Sequence, residues 1–221
     1  MDRRVLVISG PSGGGKTTVA NLIIEKNRKF EFVRSATTRA PRGDGNDGEY
    51  LYYSRDQFKR AIEENDFLEY TDYGKNFYGT PRSELERIFA DGRIPLLVLD
   101  MNGAETIGKG EFDFCADVFY VFEDINVIES RLYKRELLHP SVEGIESFIR
   151  RKNENINDYL RLPELSSIFT GFIRNTVAET ARDAILSVFF KKDNLLDQSI
   201  YIGERRKIIA EELCESARAK I

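Results

Sequence analysis

Val5-Leu-Val-Ile8 leads into Gly10-Pro-Ser-Gly-Gly-Gly-Lys16-Thr17, and Thr18-Val-Ala-Asn-Leu-Ile-Ile24 follows. The first run is short, apolar and rich in β-formers, which predicts a strand buried on both faces. The middle run fits G-x-x-x-x-G-K-[ST], and the last continues as a helix. A glycine-rich turn between strand and helix folds its backbone N–H groups into a cup at the helix N-terminus, where an anion is favoured. In that setting Lys16 reaches outer phosphates and the Thr17 hydroxyl holds Mg²⁺. Gly10, Ser12, Gly13, Gly14, Gly15, Lys16, Thr17 and Thr18 are therefore the candidate triphosphate site.

Further apolar runs recur between helical stretches. Ile94–Asp100 and Asp117–Phe122 read as buried strands, and Ile168–Ile173 as a weaker one. Ser54-x-x-Gln57 is a capping box opening a helix to about Asn65, and Thr176-x-x-Glu179 a second one leading into 181–190. Thr80-Pro81 supplies an N-cap and a first-turn proline, with Gly92 closing that helix. Strands alternating with helices predict a doubly wound α/β fold around a parallel sheet. Two segments interrupt it. Residues 34–80 carry glycines, tyrosines and arginines, with alternation around Glu49–Tyr53, and suggest a small antiparallel lobe. Residues 124–160 are helical and basic, suited to a lid over phosphates. The expected organisation is a core of 1–33, 81–123 and 165–190, a lobe of 34–80, a lid of 124–164, and an extension of 191–221 with an amphipathic helix around 204–219.

Composition narrows the function. The 221 residues are 41% hydrophobic and 11% aromatic, enough for a core, and the net charge of −4 argues against general nucleic-acid coating. Cys115, Cys214 and the single histidine, His139, have no metal-ligand spacing, which excludes a zinc site and a histidine triad. The chain enters a strand within a few residues of its start, and no apolar run approaches the ~20 residues of a membrane span. A cytoplasmic location with no membrane partner is expected.

A second anion site is legible in Ser35-Ala-Thr-Thr-Arg39-Ala-Pro-Arg42, where two arginines three residues apart form a fork beside hydroxyls. Glu69 and Tyr78-Gly-Thr80 follow. A carboxylate accepts from guanine N1–H and its amine, and a hydroxyl donates to O6. These motifs, with Phe67-Leu-Glu69, Asn76–Thr80, Asp100-Met-Asn-Gly-Ala104, Arg131-Leu-Tyr-Lys-Arg135 and Ile173-Arg-Asn175, make the chain resemble the guanylate kinase family.

That resemblance implies transfer of the ATP γ-phosphoryl group to GMP, and dGMP, with Mg²⁺ accompanying ATP. Ser35, Arg39, Arg42, Tyr50 and Tyr78 are then expected to hold the GMP phosphate, and Glu69 and Thr80 to contact guanine. Asp100 is expected near the magnesium shell, and Asn175 matches an adenine-contacting position. Lys16, Arg39, Arg131 and Arg135, joined by Arg150 or Arg151, surround the transferring group. The chain departs from the family at Val98, where an acid is usual, and at Asn102, where glutamine is usual. The loop 43–48 is one residue short, the stretch 136–144 is longer, and the positions after Arg151 are polar. Two other functions fit the same motifs: a non-catalytic module gripping a phosphorylated or acidic peptide, and a kinase for another acceptor such as a ribose phosphate or different nucleotide. A monomer and a homodimer are both compatible with the sequence.

Overall fold

The chain folds, in a computed structural model describing residues 3–41, 48, 50–73, 76–137, 141–190 and 200–221, around two sheets. The larger contains β1 (Arg4–Ser9), β2 (Phe30–Phe32), β7 (Ile94–Val98), β8 (Cys115–Phe122), β9 (Gly171–Arg174) and β10 (Ile200–Tyr201), in the order β10-β9-β8-β1-β7-β2. Every pairing is parallel except β10 with β9. Side chains alternate across β1. Val5 and Val7 join one core, Leu6 and Ile8 the other, and all four are fully buried. Each such burial contributes about 1.5–3 kcal/mol. The continuous apolar run thus reflects a strand covered on both faces, as expected.

Helices α1 (Lys16–Lys26) and α7 (Ala178–Phe189) cover the Leu6 face with Val19, Ile23, Ile185 and Phe189. The Val5 face is covered by α3 (Arg82–Ala90), α4 (Met101–Lys109), α5 (Ile125–Leu137), α6 (Val142–Leu165) and α8 (Arg205–Arg218). The C-terminal segment completes the sheet. β10 lies along β9, pairing Ile200 with Ile173, while α8 buries Ile209, Leu213 and Ala217 and packs against α6. The smaller sheet is β4-β3-β6-β5, from β3 (Ser35–Thr37), β4 (Tyr50–Tyr52), β5 (Phe67–Tyr73) and β6 (Asn76–Pro81). The lobe is mixed rather than antiparallel throughout, because β3 and β4 run parallel. Its core is Phe58 of α2 (Arg55–Glu63), stacked on Phe67 at 4.4 Å and on Phe77 at 5.3 Å between ring centres.

The Ser54 capping box forms in full: Ser54 Oγ accepts from the Gln57 N–H at 3.1 Å, and Gln57 Oε1 accepts from the Ser54 N–H at 2.8 Å. The other two start signals do not. Thr80 stays in β6 and Pro81 occupies the N-cap of α3, while Val177 precedes α7 with no side-chain cap. Both threonine hydroxyls donate to distant carboxylates instead, Thr80 to Glu69 and Thr176 to Glu123. The third predicted strand begins late, since Ser166–Ile168 form a 3₁₀ turn before β9. Gly92 does follow the end of α3, at φ +69°.

Candidate active site

The phosphate loop leaves β1 at the carboxyl edge of the sheet, between β7 and β8, where open α/β sheets bind ligands. Gly10, at φ +146°, passes so close to β8 that any Cβ would collide with the Val121 carbonyl oxygen. From there each loop carbonyl is held. Lys16 Nζ donates to Gly10 O at 2.7 Å and Pro11 O at 3.1 Å. Asn155 Nδ2 donates to Ser12 O at 2.9 Å, Arg131 to Gly13 O at 3.5 Å, and Asn175 Nδ2 to Gly14 O at 2.8 Å. The Val19 N–H takes Gly15 O as α1 begins. With its carbonyls so committed, the loop keeps a fixed curvature.

Two cavities open on this loop. One, of about 520 Å³, is lined by Gly13, Gly15, Thr17, Thr18, Arg131 and Arg135, with Asn175, Thr176 and Ala178 on its far wall. The other, of about 590 Å³, lies between the sheets and is lined from the lobe by Ser35, Arg39, Tyr50, Glu69, Thr71 and Tyr78. Among the described residues, only Ser12, Lys16 and Arg151 line both. A group passing from one cavity to the other passes these three residues.

Lys16 stands at the centre of a charged cluster. Burial lowers its pKa to about 8, against the opposing pull of Asp158 and Asp100. Asp158 is itself raised to about 7 by burial, partly offset by Lys16. Asp100 caps α4, accepting from the Gly103 N–H at 2.8 Å, and faces the second cavity. Thr17 and Asp100 offer a hydroxyl and a carboxylate, hard oxygen donors that suit Mg²⁺. Among the described residues no three His, Cys, Asp or Glu side chains cluster for a metal. A divalent cation held by these two would need further ligands from phosphates and water, as Mg²⁺ commonly takes.

In the lobe, antiparallel pairing sets Glu69 opposite Thr80, so both project from one face. Thr80 is buried and its hydroxyl donates a hydrogen bond to Glu69 Oε1 at 2.5 Å, so Thr80 lies behind the carboxylate and does not line the cavity. Burial raises the Glu69 pKa to about 7 despite that hydrogen bond. Thr71, two residues along β5 and so on the same face, brings a hydroxyl to the wall that sequence reading overlooked. Arg39 lies 5.1 Å from the Tyr50 ring centre, and Tyr50 meets Tyr78 edge-on. Arg42 lies outside the described residues, as does His139.

Helix α6 separates its two candidate arginines. Arg151 donates to Ser12 Oγ at 3.1 Å, whereas Arg150 pairs with Glu154 at 3.1 Å and lines neither cavity. Arg131 also reaches Asn175 O, and Arg135 pairs with Glu136 at 2.8 Å. Asn155, Asp158 and Arg161 follow Arg151 along one helix face and line the second cavity; none was expected. Arg161 donates to Asn102 Oδ1 at 2.7 Å and pairs with Glu105. Val98 lines the same cavity as Asp158, so a carboxylate reaches that space from α6 while β7 presents a valine. The signal available in the sequence was the polar run after Arg151. Of the cysteines, Cys115 is exposed and Cys214 buried. No helix among the described residues is long and apolar enough to cross a membrane.

The chain is similar to known proteins along most of its length. Residues 2–137 match the family model described as guanylate kinase. A guanylate kinase of Porphyromonas gingivalis is 35% identical over 191 residues, covering 85% of this chain and 99% of that protein. One from Helicobacter pylori (strain ATCC 700392 / 26695) is 32% identical over 188 residues, covering 85% of this chain and 86% of the relative. The crystal structure of guanylate kinase from Anaplasma phagocytophilum superposes with a TM-score of 0.60 at 25% identity, covering 100% of this chain and 97% of that one. A phosphate loop on a parallel sheet, a lobe presenting an arginine and a half-buried carboxylate, and a helical pair carrying arginines over the loop belong together: the chain is a member of the guanylate kinase family.

Proposed function

We propose that this chain transfers the γ-phosphoryl group of ATP to GMP, giving ADP and GDP. The observation that carries the reading is the junction of the two cavities at Ser12, Lys16 and Arg151. The triphosphate occupies the loop cavity and the GMP phosphate enters from the lobe, so donor and acceptor meet beside Lys16. Residues 34–80 serve as the acceptor lobe and 124–164 as the lid, on a core of 1–33, 81–123 and 165–190. The chain acts as a monomer or homodimer in the cytoplasm.

Phosphoryl transfer depends on alignment and charge neutralisation more than on covalent catalysis. Lys16 supplies one positive charge at the junction, and Arg131, Arg135 and Arg151 line the donor side. Ser35, Arg39, Tyr50 and Tyr78 hold the acceptor phosphate, joined by Arg42. That phosphate, with a second pKa of about 6, is already dianionic near neutrality, so no strong general base is needed. Glu69, as the carboxylate, accepts from guanine, with Thr80 fixing its orientation and Thr71 facing the same space. Asn175 borders the donor cavity while bracing Gly14. Mg²⁺ bound to ATP adds charge neutralisation, with Thr17 and Asp100 as the nearby protein oxygens.

The peptide-binding alternative is not favoured, since a non-catalytic module has no use for Lys16, Arg131 and Arg151 gathered on an intact phosphate loop. A coupled ADP-release assay across GMP, dGMP, AMP, CMP, UMP and ribose phosphates tests the reading. Turnover confined to GMP and dGMP is expected. Turnover with another acceptor at equal kcat/KM refutes the base assignment, and tight ATP binding with no turnover on any acceptor refutes the enzyme.

A further inference from the structure

The polar residue Asn155 is only 3% exposed, in a helix whose neighbouring buried positions are Ile156, Tyr159 and Leu162. A buried carboxamide is costly unless its hydrogen bonds are made. Asn155 makes them with the backbone of a single residue of the phosphate loop. Its Oδ1 accepts from the Ser12 N–H at 2.7 Å, and its Nδ2 donates to the Ser12 carbonyl at 2.9 Å. Arg151, one turn earlier on α6, donates to the Ser12 Oγ at 3.1 Å. All three polar groups of Ser12 are therefore gripped by two side chains of one helix face. The pairing has a chemical logic: Asn155 is neutral, so its two bonds persist in salt and leave the local charge to Arg151 and the substrates.

We infer that Asn155 is a positioning residue for phosphoryl transfer: it latches α6 to the Ser12 peptide and thereby sets Arg151 over the junction of the two cavities. Arg151 is held on its other side by Ser147 at 3.3 Å and Glu136 at 3.5 Å, both from the same helical pair. Those contacts travel with the helices; of the α6 side chains, Asn155 and Arg151 itself bond to the loop at Ser12, while α5 reaches it at Gly13 through Arg131 at 3.5 Å. The Ser12 amide is also withdrawn from phosphate binding by this arrangement, which leaves the later loop amides, Lys16 and Arg151 to receive the anion. This inference rests on the phosphotransfer reading above.

The experiment is a double-mutant cycle of Asn155→Ala and Arg151→Ala, with steady-state kinetics for ATP and GMP and amide hydrogen exchange on nucleotide-free protein. A misplacement of about 1 Å is worth ~10² in rate, so Asn155→Ala is expected to lower kcat by about that factor and leave both KM values within about threefold. In the Arg151→Ala background the same change should cost less than about twofold, because the guanidinium it positions is gone. Asn155→Asp keeps the volume but turns a second oxygen toward the Ser12 carbonyl, and should be as impaired as Asn155→Ala. Exchange should accelerate at the Ser12 amide in Asn155→Ala, which loses the Oδ1 acceptor, with the β1 amides unchanged. Independent losses in the two backgrounds, wild-type kcat in either Asn155 variant, or unchanged Ser12 exchange in Asn155→Ala would overturn the inference. Wild-type protein that turns over no acceptor instead refutes the phosphotransfer reading, and the exchange arm then still answers whether the latch exists.

Discussion

On the donor side of the site, consecutive residues Gly10 to Thr17 shape a hollow from backbone, with carbonyls held by Lys16, Asn155 and Asn175. On the acceptor side, Ser35, Arg39, Tyr50, Glu69, Thr71 and Tyr78 converge from four strands and the loop after β3, and recognition rests on their side chains. The two constructions fail differently. A backbone site tolerates side-chain drift but depends on its glycines and on the one charge, Lys16, that belongs to it. A side-chain site can be retuned one residue at a time, and its chemistry titrates. Single changes should therefore affect all substrates on the donor side and one substrate on the acceptor side.

The largest effect is expected at Lys16. Lys16→Ala removes the charge at the junction and frees the Gly10 and Pro11 carbonyls it now holds. By analogy with other cations at phosphoryl-transfer centres, kcat should fall by ~10³ or more, with every acceptor losing equally. Binding of GMP alone, measured by calorimetry, should change by less than about threefold. A loss under tenfold, or one confined to GMP, would break the distinction between the two sides.

Glu69→Ala is the matching test on the acceptor side. A charged acceptor bonded to two guanine donors is worth about 1.5–3 kcal/mol per bond, so the GMP KM should rise by ~10². The KM for ATP should hold within about twofold. A GMP KM that is unchanged, or an equal rise in the KM for ATP, would remove Glu69 from base recognition.

The same contrast governs what could be read before the fold was known. β1, β7 and β8 announce themselves as apolar runs, and the loop is legible because its residues are consecutive. The Ser54 capping box is equally local, a side chain meeting backbone three residues away. Thr80 and Thr176 carry the same local signal, yet Glu69 and Glu123 take their hydroxyls from across the fold. Local propensity loses there to tertiary partners that no window of sequence contains. Asn155 and Asp158 were invisible for a related reason. Their spacing from Arg151 places them on one helix face, but only the seating of α6 on the loop makes that face functional. Arg150 and Arg151 could not be separated for the same cause, since adjacent helix positions point about 100° apart and the axis must be known.

The smallest expected effect sharpens the comparison most, because it reads the acceptor carboxylate alone. With a pKa of about 7 in the empty site, Glu69 is largely protonated below neutrality, whereas guanine N1–H and its amine need the carboxylate. GMP binding should therefore release a proton at acid pH, and affinity should fall about tenfold from pH 8 to pH 6. The phosphate of GMP titrates near 6 and adds its own slope, so guanosine, which lacks it, is the ligand for the measurement. Its affinity should show the full tenfold change with wild-type protein and almost none with Glu69→Ala. Stability of the empty protein should move the opposite way. A carboxyl whose pKa is raised by folding binds more protons in the folded state than in the unfolded one between about 4.5 and 7. Its stabilising contribution is complete below that window and is lost as pH rises through 7. Asp158, raised to about 7 by its own burial, adds in the same direction. The unliganded melting temperature should thus gain from these two groups as pH falls from 8 to 6, while guanosine affinity declines. A Glu69→Ala protein should retain the Asp158 share of that gain and lose its own. Affinity and stability falling together on acidification, with Glu69→Ala behaving as wild type, would place the titrating group elsewhere and return Glu69 to a structural partner of Thr80.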